Sequence, residues 1–159
     1  KGELLYDESG NGAEIALLAV GSMVSTAEHI RDKLRDRGIL CSLANGRFIK
    51  PFDTELVHFL AERHKVVITL EENVLQGGFG LQVTRWIHEH RPEVKAVNIA
   101  LPDAYVEHGN VSVLRESLGI DSDSIIRRLE TMEIINDAMN EKSENDTING
   151  EEESEKSKR

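Results

Sequence analysis

A single cysteine, Cys41, in 159 residues cannot close an intramolecular disulfide, so a reducing compartment is the default and the cytoplasm is the expected location. Basic charge is also scarce: 19 Lys and Arg stand against 29 Asp and Glu, for a net charge of −10. That balance argues against a nucleic-acid surface, which needs clustered cations to displace counterions. It argues equally against docking on an anionic membrane. No stretch approaches the roughly 20 apolar residues of a membrane-spanning helix. The opening run KGELLYDESGNG has no basic-then-apolar signal pattern and no initiating Met, so secretion is not expected and the chain reads as a fragment of something longer. Without such a signal, the glycosylation patterns at Asn110 and Asn145 carry almost no weight.

The composition that is present changes near residue 136. Residues 137–159 hold eight acidic and four basic residues and almost no large apolar ones. Such a segment buries too little surface to offset its ordering entropy, so it is expected to be an acidic disordered tail. Residues 1–136 keep a net charge of −6 and all the periodic segments, and are expected to form one domain.

Within that body, continuous apolar runs alternate with helical patterns. Residues 14–21 (EIALLAVG), 39–48 (ILCSLANGRF), 65–72 (KVVITLEE) and 95–102 (KAVNIALP) read as strands buried on both faces. Between them, Val24, Ala27, Ile30 and Leu34 share a helical face that Gly38 is placed to end. Asp53 is placed to cap a helix with Leu56, Val57 and Leu60 inward, and another helix buries Phe79, Val83, Trp86 and Ile87. Asn110 is expected to cap a short helix carrying Val111, Leu114 and Leu118. Asp121 or Ser122 is expected to cap a last one with Ile125, Ile126 and Leu129 inward. GELLYDE near the start reads as a short edge strand. Alternation of this kind means an α/β fold with a mostly parallel sheet between two helical layers.

Function in such sheets sits at the carboxyl ends of the strands. Four polar clusters fall there: VGSM (20–23), NGRFIKPFD (45–53), EENVLQGGFG (71–80) and LPDAYVEHG (101–109). The glycine run is neither a dinucleotide fingerprint nor a P-loop, since the spacing differs and no Lys-Ser/Thr follows. Bare N–H groups at a helix start could bind an anion, but Glu71 and Glu72 just upstream would repel one. The favoured reading is therefore structural, with Gly77 and Gly78 serving positive φ or close helix–sheet packing. Adjacent strand residues point to opposite sides, so Glu71 and Glu72 do not converge as an acid–base pair. One of them is expected to face inward and fix Asn73 and the turn by hydrogen bonds. Arg47 and Lys50 could bind a phosphate, or could pair with Glu71, Glu72 or Asp103; the residues alone leave both open.

The six histidines have no metal-site spacing: His88 and His90 diverge on a helix, and no second Cys completes a thiolate site. His108 alone stands in a functional-looking loop, where a lone His is more often a surface hydrogen-bonding group. Ser22 has no nearby His to activate it, and Cys41 is expected to pack as a small apolar residue.

Taken in order, ALLAVGSMV, NGRFIKPFD, VVITLEENVLQGGFG and LPDAYVEHG resemble the C-terminal, transketolase-like domain of the 1-deoxy-D-xylulose-5-phosphate synthases, over roughly Glu14 to Leu129. Gly46 departs from the Ala or other side chain usual before the Arg. The resemblance implies a three-layer α/β/α sandwich with a five-stranded mostly parallel sheet, its first strand antiparallel. It implies that the full-length enzyme is a cytoplasmic homodimer using thiamine diphosphate and Mg²⁺. That enzyme condenses pyruvate with glyceraldehyde 3-phosphate, with decarboxylation, and feeds isoprenoid, thiamine and pyridoxal synthesis. The family's cofactor and catalytic residues lie in two preceding domains. No catalytic, cofactor or metal residue is therefore expected in this chain, which alone should be inactive. Arg47, Lys50, Glu71, Glu72, Asn73, Gly77, Gly78 and His108 are its candidates for contact with those domains or a second subunit. The alternatives are the same domain from another transketolase-like enzyme, such as a 2-oxoacid dehydrogenase beta subunit, or a free-standing anion-binding module.

Overall fold

The computed structural model describes residues 1–47, 51–74, 76–101 and 115–140. Five strands form one sheet: β1 (Glu3–Tyr6), β2 (Ile15–Ala19), β3 (Cys41–Asn45), β4 (Val66–Val74) and β5 (Lys95–Leu101). Their order is β1-β3-β2-β4-β5, with β1 antiparallel to β3 and every other pair parallel. The mixed five-stranded sandwich expected from the resemblance is thus the observed fold.

Side-chain alternation along the strands builds two cores. Ile15, Leu17, Leu43, Ile68, Leu70 and Ile99 face α1 (Met23–Asp36) and α4 (Ser122–Thr131). Ala16, Leu18, Ala44 and Val67 face α2 (Thr54–Arg63) and α3 (Phe79–His90). Burial on both faces is why the strands read as unbroken apolar runs.

Helix ends follow their local chemistry. Gly38, at φ 79°, ends the first helical stretch, and its N–H donates to the Arg35 carbonyl at 2.8 Å. Asp53 Oδ1 accepts the Leu56 N–H, and Asp121 Oδ1 accepts those of Asp123 and Ser124, so both expected caps are in place. Trp86 is only half-buried, with its ring stacked on His90. The helix expected to start at Asn110 lies mostly outside the described residues.

The expected boundary at 136 falls inside a helical segment, 134–140. Ile134 and Ile135 are buried, and Ala138 packs against the same core. Apolar side chains at this spacing give residues 137–140 a place to pack that the composition of 137–159 did not show. The remainder of the expected tail lies outside the described residues.

The chain turns from β2 through α1 to β3, then crosses over β2 to reach β4. The strand order therefore reverses at the carboxyl end of β2, between β3 and β4, where open α/β sheets place their sites.

Candidate functional site

Three of the four expected clusters meet at that point. The Val20 N–H donates to the Leu70 carbonyl and the Gly46 N–H to the Ala19 carbonyl, tying the ends of β2, β3 and β4. Gly46 permits this closeness: a β-carbon there would stand 2.8 Å from Val20 Cγ1 and 2.9 Å from Phe79 Cζ. Beyond Leu101 the fourth cluster, His108 included, lies outside the described residues, as does Lys50.

Glu71 and Glu72 diverge, as adjacency in a strand requires. Glu71 is fully buried on the α3 face. Its Oε2 accepts the Phe79 N–H at 2.9 Å and its Oε1 the Gly80 N–H at 2.7 Å. These N–H groups open α3 and have no partner within the helix, so the carboxylate caps them from across the loop. Close approach makes this possible. A β-carbon on Gly80 would stand 2.5 Å from Thr69 Oγ1 and 2.8 Å from Asn98 Oδ1. Those two side chains are themselves bonded, Thr69 Oγ1 donating to Asn98 Oδ1 at 2.7 Å. The first turn of α3 therefore rests directly on a polar strip of the sheet.

Glu72 points to the other face. It accepts the Ser22 hydroxyl at the start of α1, and Arg115 Nε donates to its Oε1 at 2.7 Å. The two carboxylates thus serve one helix each, on opposite faces of the sheet. Arg115 was not marked by any local pattern in the sequence.

The glycine loop divides its duties differently from expectation. Gly77 takes positive φ, 72°. Gly78 is buried but has φ −71° and ψ 175°, ordinary extended backbone, so the positive-φ role does not fall on it. Asn73 is exposed. Arg47 does not join Glu71 or Glu72: its Nη2 donates to Glu3 Oε2 at 2.6 Å, across the β1–β3 pair, and both side chains are about half exposed.

Near the same edge lies an open depression of about 350 Å³, bounded by Lys1, Gly46 and residues 51–55. Asp53 lines it, its second carboxylate oxygen accepting the Gly2 N–H at 2.8 Å. Cys41 is buried, and burial pushes its thiol up to about 12, which keeps it protonated and inert. Among the described residues no group of His, Cys, Asp and Glu is arranged to hold a metal ion, and no helix is long and apolar enough to cross a membrane.

Residues 3–125 match the family described as transketolase, C-terminal domain. The chain is 44% identical over 130 residues to a 1-deoxy-D-xylulose-5-phosphate synthase of Lachnoclostridium phytofermentans, covering 81% of this chain and 20% of that one. It is 43% identical over 121 residues to the enzyme of the same name from Dehalococcoides mccartyi, covering 75% of this chain and 19% of that one. The chain spans about a fifth of the length of these relatives. Among solved structures, a split-gene transketolase in an inactive beta4 tetramer superimposes with TM-score 0.71 at 24% identity, over 82% of this chain and 40% of that one. A transketolase from Campylobacter jejuni gives 0.57 at 16% identity, over 82% and 18%. At those identities the structures speak to the fold.

Proposed function

This chain belongs to the transketolase C-terminal domain family, and from that premise we propose that it is the C-terminal domain of a 1-deoxy-D-xylulose-5-phosphate synthase. The observation that carries the reading is the 44% identity to a synthase of that name across 81% of the chain. The complete enzyme would be a cytoplasmic homodimeric transferase joining pyruvate, with loss of CO₂, to glyceraldehyde 3-phosphate. Thiamine diphosphate, held with Mg²⁺, would supply the carbanion chemistry of that step.

The described residues of this edge do not fit that cofactor. The anion-binding element among them, the opening N–H groups of α3, already holds the Glu71 carboxylate. A diphosphate arriving there would meet an internal anion in place of open donors. We therefore assign the cofactor, its Mg²⁺ and the catalytic groups to the rest of the enzyme, and assign this chain to assembly.

The contact surface would be the edge where Ser22 and Arg115 meet Glu72 at the end of β4, with Arg47, Asn73, Gly77 and the depression beside Gly46. Its charged side chains are largely paired within the chain, Lys1 with Glu55, Arg47 with Glu3 and Arg115 with Glu72, so covering them would leave few charges unpaired. A calorimetric titration of thiamine diphosphate with Mg²⁺ into the chain tests the division of labour. No saturable heat is expected, and Mg²⁺-dependent saturation would overturn it.

A further inference from the structure

A second polar cluster lies away from that edge, beneath the segment that leads from β1 into β2. The Glu8 N–H donates to Ser42 Oγ at 2.9 Å. Ser42 Oγ lies 2.8 Å from His64 Nε2, and His64 Nδ1 lies 2.8 Å from the Leu60 carbonyl. Ser42 is 0% exposed and His64 5%.

These contacts admit one proton arrangement. A carbonyl only accepts, so Nδ1 carries the hydrogen. In the neutral ring Nε2 is then an acceptor, and the Ser42 hydroxyl must donate to it. With its hydrogen so directed, the Ser42 oxygen presents a lone pair to the Glu8 N–H. Every group in the relay is satisfied only while the ring is neutral. Adding a proton at Nε2 sets two hydrogens between nitrogen and oxygen. The hydroxyl must then turn its hydrogen away from the ring. The oxygen can still accept from Nε2–H and from the Glu8 N–H, but the buried hydroxyl hydrogen has no acceptor in the contacts Ser42 makes among the described residues, and water reaches it only when the segment above it lifts.

We propose that His64 is a proton-operated latch for residues 7–13: the neutral ring orients Ser42 to hold Glu8, and protonation releases that segment while the sheet stays folded. The charged groups around the ring divide. Asp7, on the latched segment, favours the imidazolium; burial and Arg63, its neighbour on α2, oppose it, and burial is the larger effect, so the ring titrates below its ordinary value. Glu8 and Arg31 neutralise each other at 3.1 Å, with Arg31 also 3.9 Å over the Tyr6 ring. Lys65, next along from His64, pairs with Glu14 at 3.0 Å.

The latch has a structural consequence for β1. That strand is a short edge strand whose register with β3 slips between Leu4 and Tyr6. Its far end is held by the Glu8 contacts and by Arg31. Opening the latch would leave β1 held by its ladder with β3, by the packing of Leu4 and Leu5 against the two cores, by Arg31 over the Tyr6 ring, and by the Asp53, Glu55 and Arg47 contacts at its start. The proposal therefore makes the strand before β2 the first part of the domain to loosen on acidification.

The test is amide exchange with imidazole NMR on the chain, from about pH 7.5 to about pH 5. At the upper limit the ring nitrogens should report the Nδ1–H tautomer. The protection factor of the Glu8 amide, corrected for intrinsic exchange, should fall about tenfold or more with the midpoint of the His64 titration. Leu17 and Leu43 should stay protected throughout. Ser42→Ala keeps the titrating ring but should leave Glu8 unprotected at every pH. His64→Gln should remove the pH dependence. An Nε2–H tautomer, flat Glu8 protection, or parallel loss at Leu17 and Leu43 would overturn the latch.

Discussion

Glu71 Oε1 accepts the Gly80 N–H at 2.7 Å, and it does so because Gly80 has no side chain to hold α3 away from Thr69 and Asn98. Cap and close approach are one device. Glu71→Gln replaces one acceptor oxygen with an NH₂ that faces an N–H. It should cost about 1–3 kcal/mol, the penalty for an unsatisfied buried group. Gly80→Ala should cost a similar amount, about 1–3 kcal/mol, by forcing the turn upward. Urea unfolding measures both, and because the changes share one contact the double variant should lose less than their sum. Losses inside about 0.5 kcal/mol, the range of ordinary surface changes, would remove the cap from the account.

At the glycine loop, the position needing left-handed backbone is Gly77, φ 72°. Gly77→Ala should destabilise the domain by about 1 kcal/mol although a β-carbon there meets nothing within 4 Å. Because Glu71 fills the start of α3, phosphate should raise the melting temperature no more than sodium chloride at matched ionic strength. A phosphate-specific rise, growing with concentration as binding to the folded state demands, would reinstate the anion-site reading.

Acid should weaken the fold in two stages. Burial lowers the His64 value, so the unfolded chain takes up that proton first. Stability then declines as pH falls below about 6.5, the ordinary value. In Asp53, burial works against ionisation, but the N–H groups of Leu56 and Gly2 outweigh it. In Asp121, burial is likewise outweighed, by Ser124. Both carboxyls sit below their ordinary values, so their contribution is full above about pH 4 and disappears as pH falls through the folded values. Chemical unfolding across this range should show the upper stage vanish in His64→Gln and the lower stage shrink in Asp53→Asn. A profile without the upper stage would contradict the buried neutral ring.

The Glu72–Arg115 pair is partly exposed, with side chains 36% and 24% accessible. In the chain by itself, Arg115→Ala should therefore cost no more than about 1 kcal/mol. Within the longer enzyme the same pair, desolvated by a neighbouring domain, should show a coupling energy of about 1–3 kcal/mol in a double-mutant cycle on assembly. Equal coupling in the two settings would mean that this edge is not covered.

Much of this arrangement could be read from the residues. Asp53 and Asp121 announced themselves because a cap is a local event, decided within three residues. Strand alternation sends two adjacent carboxylates to opposite faces, so that one of Glu71 and Glu72 turns inward was legible, while which one, and that it caps Phe79 and Gly80, was not. What stayed hidden depends on distant parts of the chain. Arg115 reaches Glu72 across 43 positions, and nothing local marks either as the other's partner. Arg47 meets Glu3 because β1 returns antiparallel along β3, a partner that the reading of Arg47 beside a phosphate, Glu71, Glu72 or Asp103 did not include. The boundary at 136 was set by average composition, while Ala138 is held by its particular place against Ile134, Ile135 and the α1 core. His64 gave no sign at all, since a buried neutral histidine is defined by Ser42 and Leu60, which meet it only in the folded chain.

The proposed role of this domain is to assemble an enzyme whose chemistry lies elsewhere. The direct test is to assay the longer synthase with and without the residues equivalent to 1–140, then to add this chain back as a separate polypeptide. Pyruvate decarboxylation coupled to glyceraldehyde 3-phosphate, subunit assembly and thiamine diphosphate affinity should be measured together. Deletion should abolish turnover and assembly, the remainder should retain the cofactor-binding groups, and the added chain should restore activity. Full activity and normal assembly without the domain would contradict that role.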